Sequence, residues 1–336
     1  MIGWRKGVKL VLSLILVLGL VLLGAYFYLE QQLSETSGLR QAQIFKIAKG
    51  QSAMQVLTSL KKQGVTLNVP AFKVLFKLRP HLAKFKAGTY EILPSMNRGQ
   101  ILQVFISGKE KLYSISLVEG LRWRDWMLQL QSHPQLIFDD KTVKTIAALE
   151  SDLPSQSLEG WLLPDTYHFA DGSNASLVIT MAHQNLQLVL EEAWQNRALD
   201  LPYHSAFEGL IMASIIEKET GIAQERPRIA GVFVNRLNKN MRLQTDPTVI
   251  YGLGNDFDGD IKRKDLRTPT PYNTYVIKGL PPTAIAMASQ LAIQAAFQPQ
   301  ATEELYFVAK GDGSHQFSLT LQEHNRAVRQ YQLKIK

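Results

Sequence analysis

The chain has no cysteine, which excludes disulfides, thiolate metal sites and cysteine nucleophiles together. Its seven histidines are scattered, with no His-Glu-x-x-His and no pair four residues apart, so a helical zinc site has no ligands. Gly-x-Ser-x-Gly is absent, as are both glycine-rich phosphate loops, which removes the usual serine hydrolases and phosphoryl chemistry. Ser59-Leu-Lys-Lys62 fits the Ser-x-x-Lys pattern of penicillin-binding enzymes, but its companion motifs are missing and it falls at a helix end. No long basic run with interleaved aromatics accompanies the formal charge of +8. That charge therefore points to a membrane surface or an acidic wall polymer before nucleic acid. Carboxylate chemistry is what these exclusions leave.

Only one long apolar run is present. Leu10 to Leu29 carries no charge and is about the 20 residues a bilayer core requires. Arg5, Lys6 and Lys9 precede it, and the next charges are Glu30 and Glu35. By the positive-inside rule, 1–9 is a cytoplasmic tail, 10–29 a single-pass inner-membrane helix, and everything beyond is periplasmic. A cleaved signal peptide is the rival reading. The run exceeds a usual signal core, and Tyr26-Phe-Tyr28 stands where a small-residue cleavage site belongs.

The expected organisation continues with a polar tether over 30–42, a small module over 43–112, a connecting strand–helix segment over 113–154 and a catalytic domain over 155–336. The fold class is α+β. Within the module, Ile44–Ala48 alternates as a strand, Ser52 with Gln55 caps a helix, a second helix follows Pro70, and Gly88–Leu93 returns as a strand. This βααβ layout resembles LysM-type modules, which bind N-acetylglucosamine-containing glycans. A plain spacer or packing domain has the same layout.

The stretch with the sharpest signal is Ser205 to Gly221. Ser205 and Glu208 form a capping box, and Gly221 suits a left-handed position after the last turn. Stepping at roughly 100° per residue puts Ile211, Met212, Ile215 and Ile216 on one arc with Glu219 at its centre. Glu217 projects from nearly the opposite side. Apolar surroundings and the negative end of the helix dipole both raise the proton affinity of Glu219, as a group that gives and takes protons near neutrality requires. A plain ion pair with Lys218, Arg226 or Arg228 is the alternative.

Acidic, hydroxyl and aromatic residues gather in loops rich in Pro and Gly: Pro164–Tyr167, Leu243–Thr248, Thr270–Tyr275 and Gly279–Pro282. Their chemistry suits a sugar polymer, whose hydroxyls need partners and whose ring faces stack on aromatics. Asp-Pro and Gly-Leu-Pro-Pro are also ordinary turn formers.

Ala213–Thr220, Val232–Leu237, Met241-Arg-Leu-Gln-Thr-Asp-Pro-Thr-Val-Ile-Tyr-Gly252, Thr270–Tyr275 and Gly279–Pro282 resemble the YceG-like family of membrane-anchored endolytic murein transglycosylases. The match extends to Phe85–Tyr90, Glu159–Trp161, Pro164–Thr166, Tyr306–Val308 and His324-Asn325. The resemblance implies a lyase that cuts the β-1,4 bond between N-acetylmuramic acid and N-acetylglucosamine and leaves a 1,6-anhydro end, ending strand growth. It implies Glu219 as the acid and base, no cofactor, and partners among peptidoglycan synthases. Gln244, Thr245, Asp246, Tyr272, Asn273 and Tyr275 are provisional substrate-binding residues, with Glu217 behind them. A hydrolase using Asp246 or Asp165 as a second carboxylate, and a non-catalytic glycan-binding scaffold, remain as alternatives.

Overall fold

A computed structural model of the chain describes residues 2–333. Met1 of the expected tail and 334–336 of the expected catalytic domain lie outside the described residues. The chain divides into two compact units, Met1–Tyr113 and Ser114–Lys336. The described residues are mixed α and β, and each sheet among them is two-stranded.

The first unit begins with α1 (Ile2–Ser34), whose apolar side chains from Leu10 to Tyr28 are exposed. β1 (Gln43–Ile47), α2 (Ala53–Lys62), α3 (Val69–Leu78), β2 (Gly88–Ile92) and α4 (Arg98–Ser107) follow. β1 and β2 pair antiparallel with Phe45 opposite Tyr90, and strict alternation along β1 sends Phe45 and Ile47 inward. Phe72, Leu75, Tyr90, Leu102 and Phe105 complete the core. Capping follows the sequence. Ser52 and Gln55 form a capping box on α2, and Gly108 closes α4 at φ 73°, a left-handed position that suits glycine.

One expectation needs correction here. The segment expected to be a tether over 30–42 is partly helix, because α1 runs on to Ser34 and is fastened to the module. Arg79 pairs with Glu30, and the Arg98 guanidinium donates to Gln32 Oε1 at 3.0 Å and meets Glu35 at 2.6 Å. Leu78 of α3 is 67% exposed.

The second unit holds β3 (Leu112–Leu117, which starts at the boundary), α5 (Trp123–Ser132), β4 (Leu136–Ile137), α6 (Asp140–Asp152), β5 (Asp165–Ala170), β6 (Ser173–Asn174), α7 (Ala175–Gln195), α8 (Ala206–Glu219), α9 (Arg226–Asn238), α10 (Asp246–Leu253), α11 (Gln290–Phe297), β7 (Tyr306–Ala309), β8 (His315–Ser318) and α12 (Leu321–Tyr331). β3 pairs with β5, β4 with β6, and β7 with β8 as an antiparallel hairpin. The weak pattern between Pro134 and Pro154 conceals α6, which packs on α7 and buries only Thr142, so little apolar periodicity marks it. Asp246-Pro247 opens α10 rather than a turn, with proline in the first helical turn where its missing N–H costs nothing.

At the centre stands α8, packed by α7, α9, α10 and α11. Gly209 to Glu217 are all buried, so this stretch has no polar face, and Glu217, on the other side of the helix from Glu219, is enclosed too. Gly209 admits the closest neighbour, since a Cβ there would lie 2.1 Å from Cζ of Phe297 on α11.

Candidate active site

The ends of α8 decide where its acidic residues point. Ser205 accepts from the Glu208 N–H at 3.3 Å, but the Glu208 carboxylate reaches back to the His204 N–H at 2.6 Å instead of closing the box on Ser205. At the other end, Thr220 leaves the helix in extended conformation at φ −144°. Gly221 takes no left-handed turn; the chain swings straight out, and Glu219 is left as the last helical residue.

The expected partners of Glu219 are engaged elsewhere. Arg226 donates to Glu217 Oε1 at 2.8 Å, Arg228 holds Glu304 at 2.5 Å, and Lys218 donates to the Gly120 carbonyl at 3.0 Å. The second oxygen of Glu217 accepts from Ser289 N–H at 2.9 Å and Oγ at 2.5 Å. Glu217 is thus spent on tying α8 to α9 and the start of α11, and it does not line the cavity around Glu219.

That cavity has a volume of about 540 Å³ and is walled by Glu219, Arg236, Gln244, Thr245, Asp246, Tyr275, Tyr306, His315 and His324, among others. Its size falls in the range of small-molecule and substrate sites. Glu219 Oε1 accepts a hydrogen bond from Thr245 Oγ1. Burial, with the nearby Asp246 charge adding to it, pushes the Glu219 carboxyl up to about 7; the Thr245 hydrogen bond and the His315 and Arg236 charges pull the other way. Desolvation therefore wins, and the carboxyl is poised between its two protonation states near neutral pH.

A stiff loop presents Thr245. Its N–H donates to Thr274 Oγ1 at 3.0 Å, Thr248 Oγ1 donates to the Thr245 carbonyl at 2.7 Å, and the Gln244 N–H donates to the Thr274 carbonyl at 3.2 Å. Gln244 itself is held at φ 53°, a left-handed conformation that costs a non-glycine residue about 1–2 kcal/mol. Tyr275 Oη donates to Asp246 Oδ1 at 2.7 Å, fixing that exposed carboxylate at the rim. Arg236 is buried, donating to the carbonyls of Leu305 and Leu243, each at 2.6 Å, while it covers the Tyr306 ring. His315 bonds Glu225 at 2.7 Å. His324 stacks on Tyr306 at 5.2 Å.

Of the expected residues, Glu219, Gln244, Thr245, Asp246 and Tyr275 share one cavity. Asn273 instead staples its own loop, its side chain donating to the carbonyls of Asp265 and Thr268. Tyr272 bonds Thr283 and packs on Tyr251. Neither lines the cavity, and neither does Asp165, which is exposed on β5. Reasoning from sequence missed the roles of Arg236 and His315. The Gly311-Asp-Gly313 turn marked the hairpin that brings His315 back, and Tyr306 and His324 already lay in motifs of the resemblance. A second carboxyl, Glu159, is also pushed up to about 7 by burial, yet it accepts from the Trp123 N–H at 3.0 Å and lies apart from this cavity.

Residues 45–330 match the model of the YceG-like family. The chain belongs to that family. Among its relatives is an endolytic murein transglycosylase of Bacillus subtilis, 32% identical over 93% of this chain and 91% of the relative. Another protein of that name, from Streptococcus pneumoniae, is 24% identical over 96% of this chain and 65% of its own length. A crystal structure of a YceG-like protein from Listeria monocytogenes superposes with a TM-score of 0.52 at 30% identity, covering 86% of this chain and 99% of that one. In this YceG-like chain, the motif residues Glu219, Gln244–Asp246, Tyr275, Tyr306 and His324 come from separate stretches of sequence and meet around one cavity.

Proposed function

We propose that the chain is an endolytic murein transglycosylase, cutting the β-1,4 bond between N-acetylmuramic acid and N-acetylglucosamine within a glycan strand. The observation that carries this reading is a carboxyl of raised proton affinity, Glu219, at the wall of a polar cavity in a chain 32% identical to a protein of that activity.

Glu219, protonated, gives its proton to the departing glycosidic oxygen as the C1–O bond breaks. The carboxylate then takes the proton from the 6-hydroxyl of the same muramic acid, whose oxygen closes onto C1. The proton count balances, no water is consumed, and the product ends in a 1,6-anhydro ring. Hydrolases need a second carboxylate as nucleophile or base; here the sugar supplies the nucleophile. Thr245 orients the Glu219 carboxyl, and Asp246, steadied by Tyr275, faces the positive charge that develops at C1. Gln244 and the aromatic wall at Tyr306 hold the sugar ring.

The charge-free part of α1 is an uncleaved inner-membrane anchor with its N-terminus in the cytoplasm and the rest periplasmic. A LysM-like role for the module places glycan contact at the cavity beside the β1–α2 turn, among Lys49, Gln51, Gln55 and Lys62. Confined to the membrane, the enzyme ends the elongation of nascent strands beside peptidoglycan synthases. Mass spectrometry of fragments released from purified glycan strands tests the reading. Anhydro ends, one water lighter than hydrolytic ends, are expected. Hydrolytic ends favour a hydrolase using Asp246, and no release favours a scaffold.

A further inference from the structure

Within the first unit, α3 is tied to α1 at both of its ends. The Asn68 side chain, capping the start of α3, donates to Tyr28 Oη at 2.7 Å. Arg79, just past its end, pairs with Glu30 and lies 5.9 Å from the Tyr26 ring. Ten residues of helix span about 15 Å, whereas Tyr26 and Glu30 are separated by only about 6 Å along α1. Both ends of α3 are thus fastened to one short band of α1. That band is the Tyr26-Phe-Tyr28 belt at the end of the apolar run, where aromatic rings mark the headgroup level of a bilayer.

The two faces of α3 differ. Ala71, Phe72, Leu75 and Phe76 are buried, facing the core against which Leu29 and Leu33 of α1 also pack. The core therefore lies on the far side of the belt from the apolar run. The opposite face of α3 carries exposed Lys73 and Lys77 with Val74 at 50% and Leu78 at 67% exposure. Turned away from the core, it is open to solvent beside the end of the span.

We infer that this face of α3 is a docking surface for anionic phospholipid, with Val74 and Leu78 entering the headgroup boundary and Lys73 and Lys77 meeting the phosphates. It continues the apolar surface of α1 and has the make-up of an interfacial amphipathic helix. The inference rests on the reading of α1 as a membrane anchor. Its consequence is that the module is held flat on the bilayer instead of swinging on a tether.

The cysteine-free chain allows clean nitroxide labelling of three single variants, Leu78→Cys, Ile44→Cys on the outward face of β1, and Leu18→Cys within α1. Each full chain is reconstituted in vesicles of phosphatidylglycerol with phosphatidylcholine, or of phosphatidylcholine alone, and probed by accessibility to oxygen and to an aqueous nickel chelate. The Leu18 label is expected deep and the Ile44 label aqueous throughout. The Leu78 label is expected to be shielded from nickel only in the anionic vesicles. Two lysines at an anionic surface are together worth about thirtyfold in the docking equilibrium constant, so Lys73→Gln with Lys77→Gln lowers the ratio of shielded to exposed label by that factor. A Leu78 label as aqueous as Ile44 while Leu18 stays deep overturns the docking and leaves the anchor standing. Equal shielding in neutral vesicles overturns the selectivity for anionic lipid. Nickel reaching Leu18 overturns the anchor, and the docking with it.

Discussion

Replacing Glu219 with glutamine is expected to raise stability while removing activity, and the gain depends on pH. The folded carboxyl sits at about 7 against an ordinary 4.5, a roughly 300-fold difference in proton affinity, or about 3 kcal/mol. Its folded value is raised, so its favourable contribution is complete below the unfolded value and is lost as pH climbs from about 4.5 through 7. Above that window the wild type bears the cost of a charge in a desolvated place. Glutamine never ionises, and its amide oxygen can still accept from Thr245. The variant should therefore exceed the wild type by less than about 1 kcal/mol at pH 5 and by about 3 kcal/mol at pH 8.5. For a unit of this size, that maximum corresponds to a rise in Tm of roughly 6–12 °C. Glu159 titrates in the same range, so the difference between the two proteins is the quantity to follow, not the wild-type curve. Scanning calorimetry of the full chain in detergent at several pH values measures it. A difference that does not change with pH, or a variant that loses ground as pH rises, would refute the desolvation argument.

On the proposed mechanism Glu219 acts first as an acid, so kcat/KM is expected to fall about tenfold per pH unit above 7; a flat profile to pH 9 would contradict this. Arg226→Met strands the Glu217 carboxylate among buried groups, and urea unfolding should show a loss of about 3–5 kcal/mol, partly recovered when Glu217→Gln is added. Gly209→Ala drives a methyl into the Phe297 ring and should cost roughly 1–3 kcal/mol, with Phe297→Leu in the same chain restoring part of it.

Much of the site was legible because local chemistry marked it. Ser205 marked the start of α8, although its end came at an extended Thr220 and not at a left-handed Gly221, and carboxylate, amide and hydroxyl groups in the Gln244–Asp246 and Tyr275 loops share the cavity of Glu219. Single-helix periodicity failed where tertiary packing took over. It assigns one buried face per helix, whereas α8 is enclosed by four neighbours, so Glu217 is buried too and needs Arg226. Asn273 and Tyr272 have the composition of ligand-binding residues, yet their hydrogen bonds go to their own loops. Arg236 reads as a surface cation in sequence; only the fold supplies the Leu243 and Leu305 carbonyls that let it be buried beside Glu219. α11 escaped notice since its alanines, chosen for close approach to α8, give a short run with little pattern. The tether was misread for a related reason: polar residues after a span suggest flexibility, but Gln32 and Glu35 are polar in order to hold Arg98.

Release of glycan fragments by the Glu219→Gln full chain, set against the wild type at equal folded concentration, tests the central claim most directly. On the proposed mechanism the substitution removes the proton-transferring group and should lower the rate by about 10²–10⁴-fold or more, with no shift of the remaining activity to another pH. Release at a rate within a few-fold of wild type would contradict the account, whatever the products.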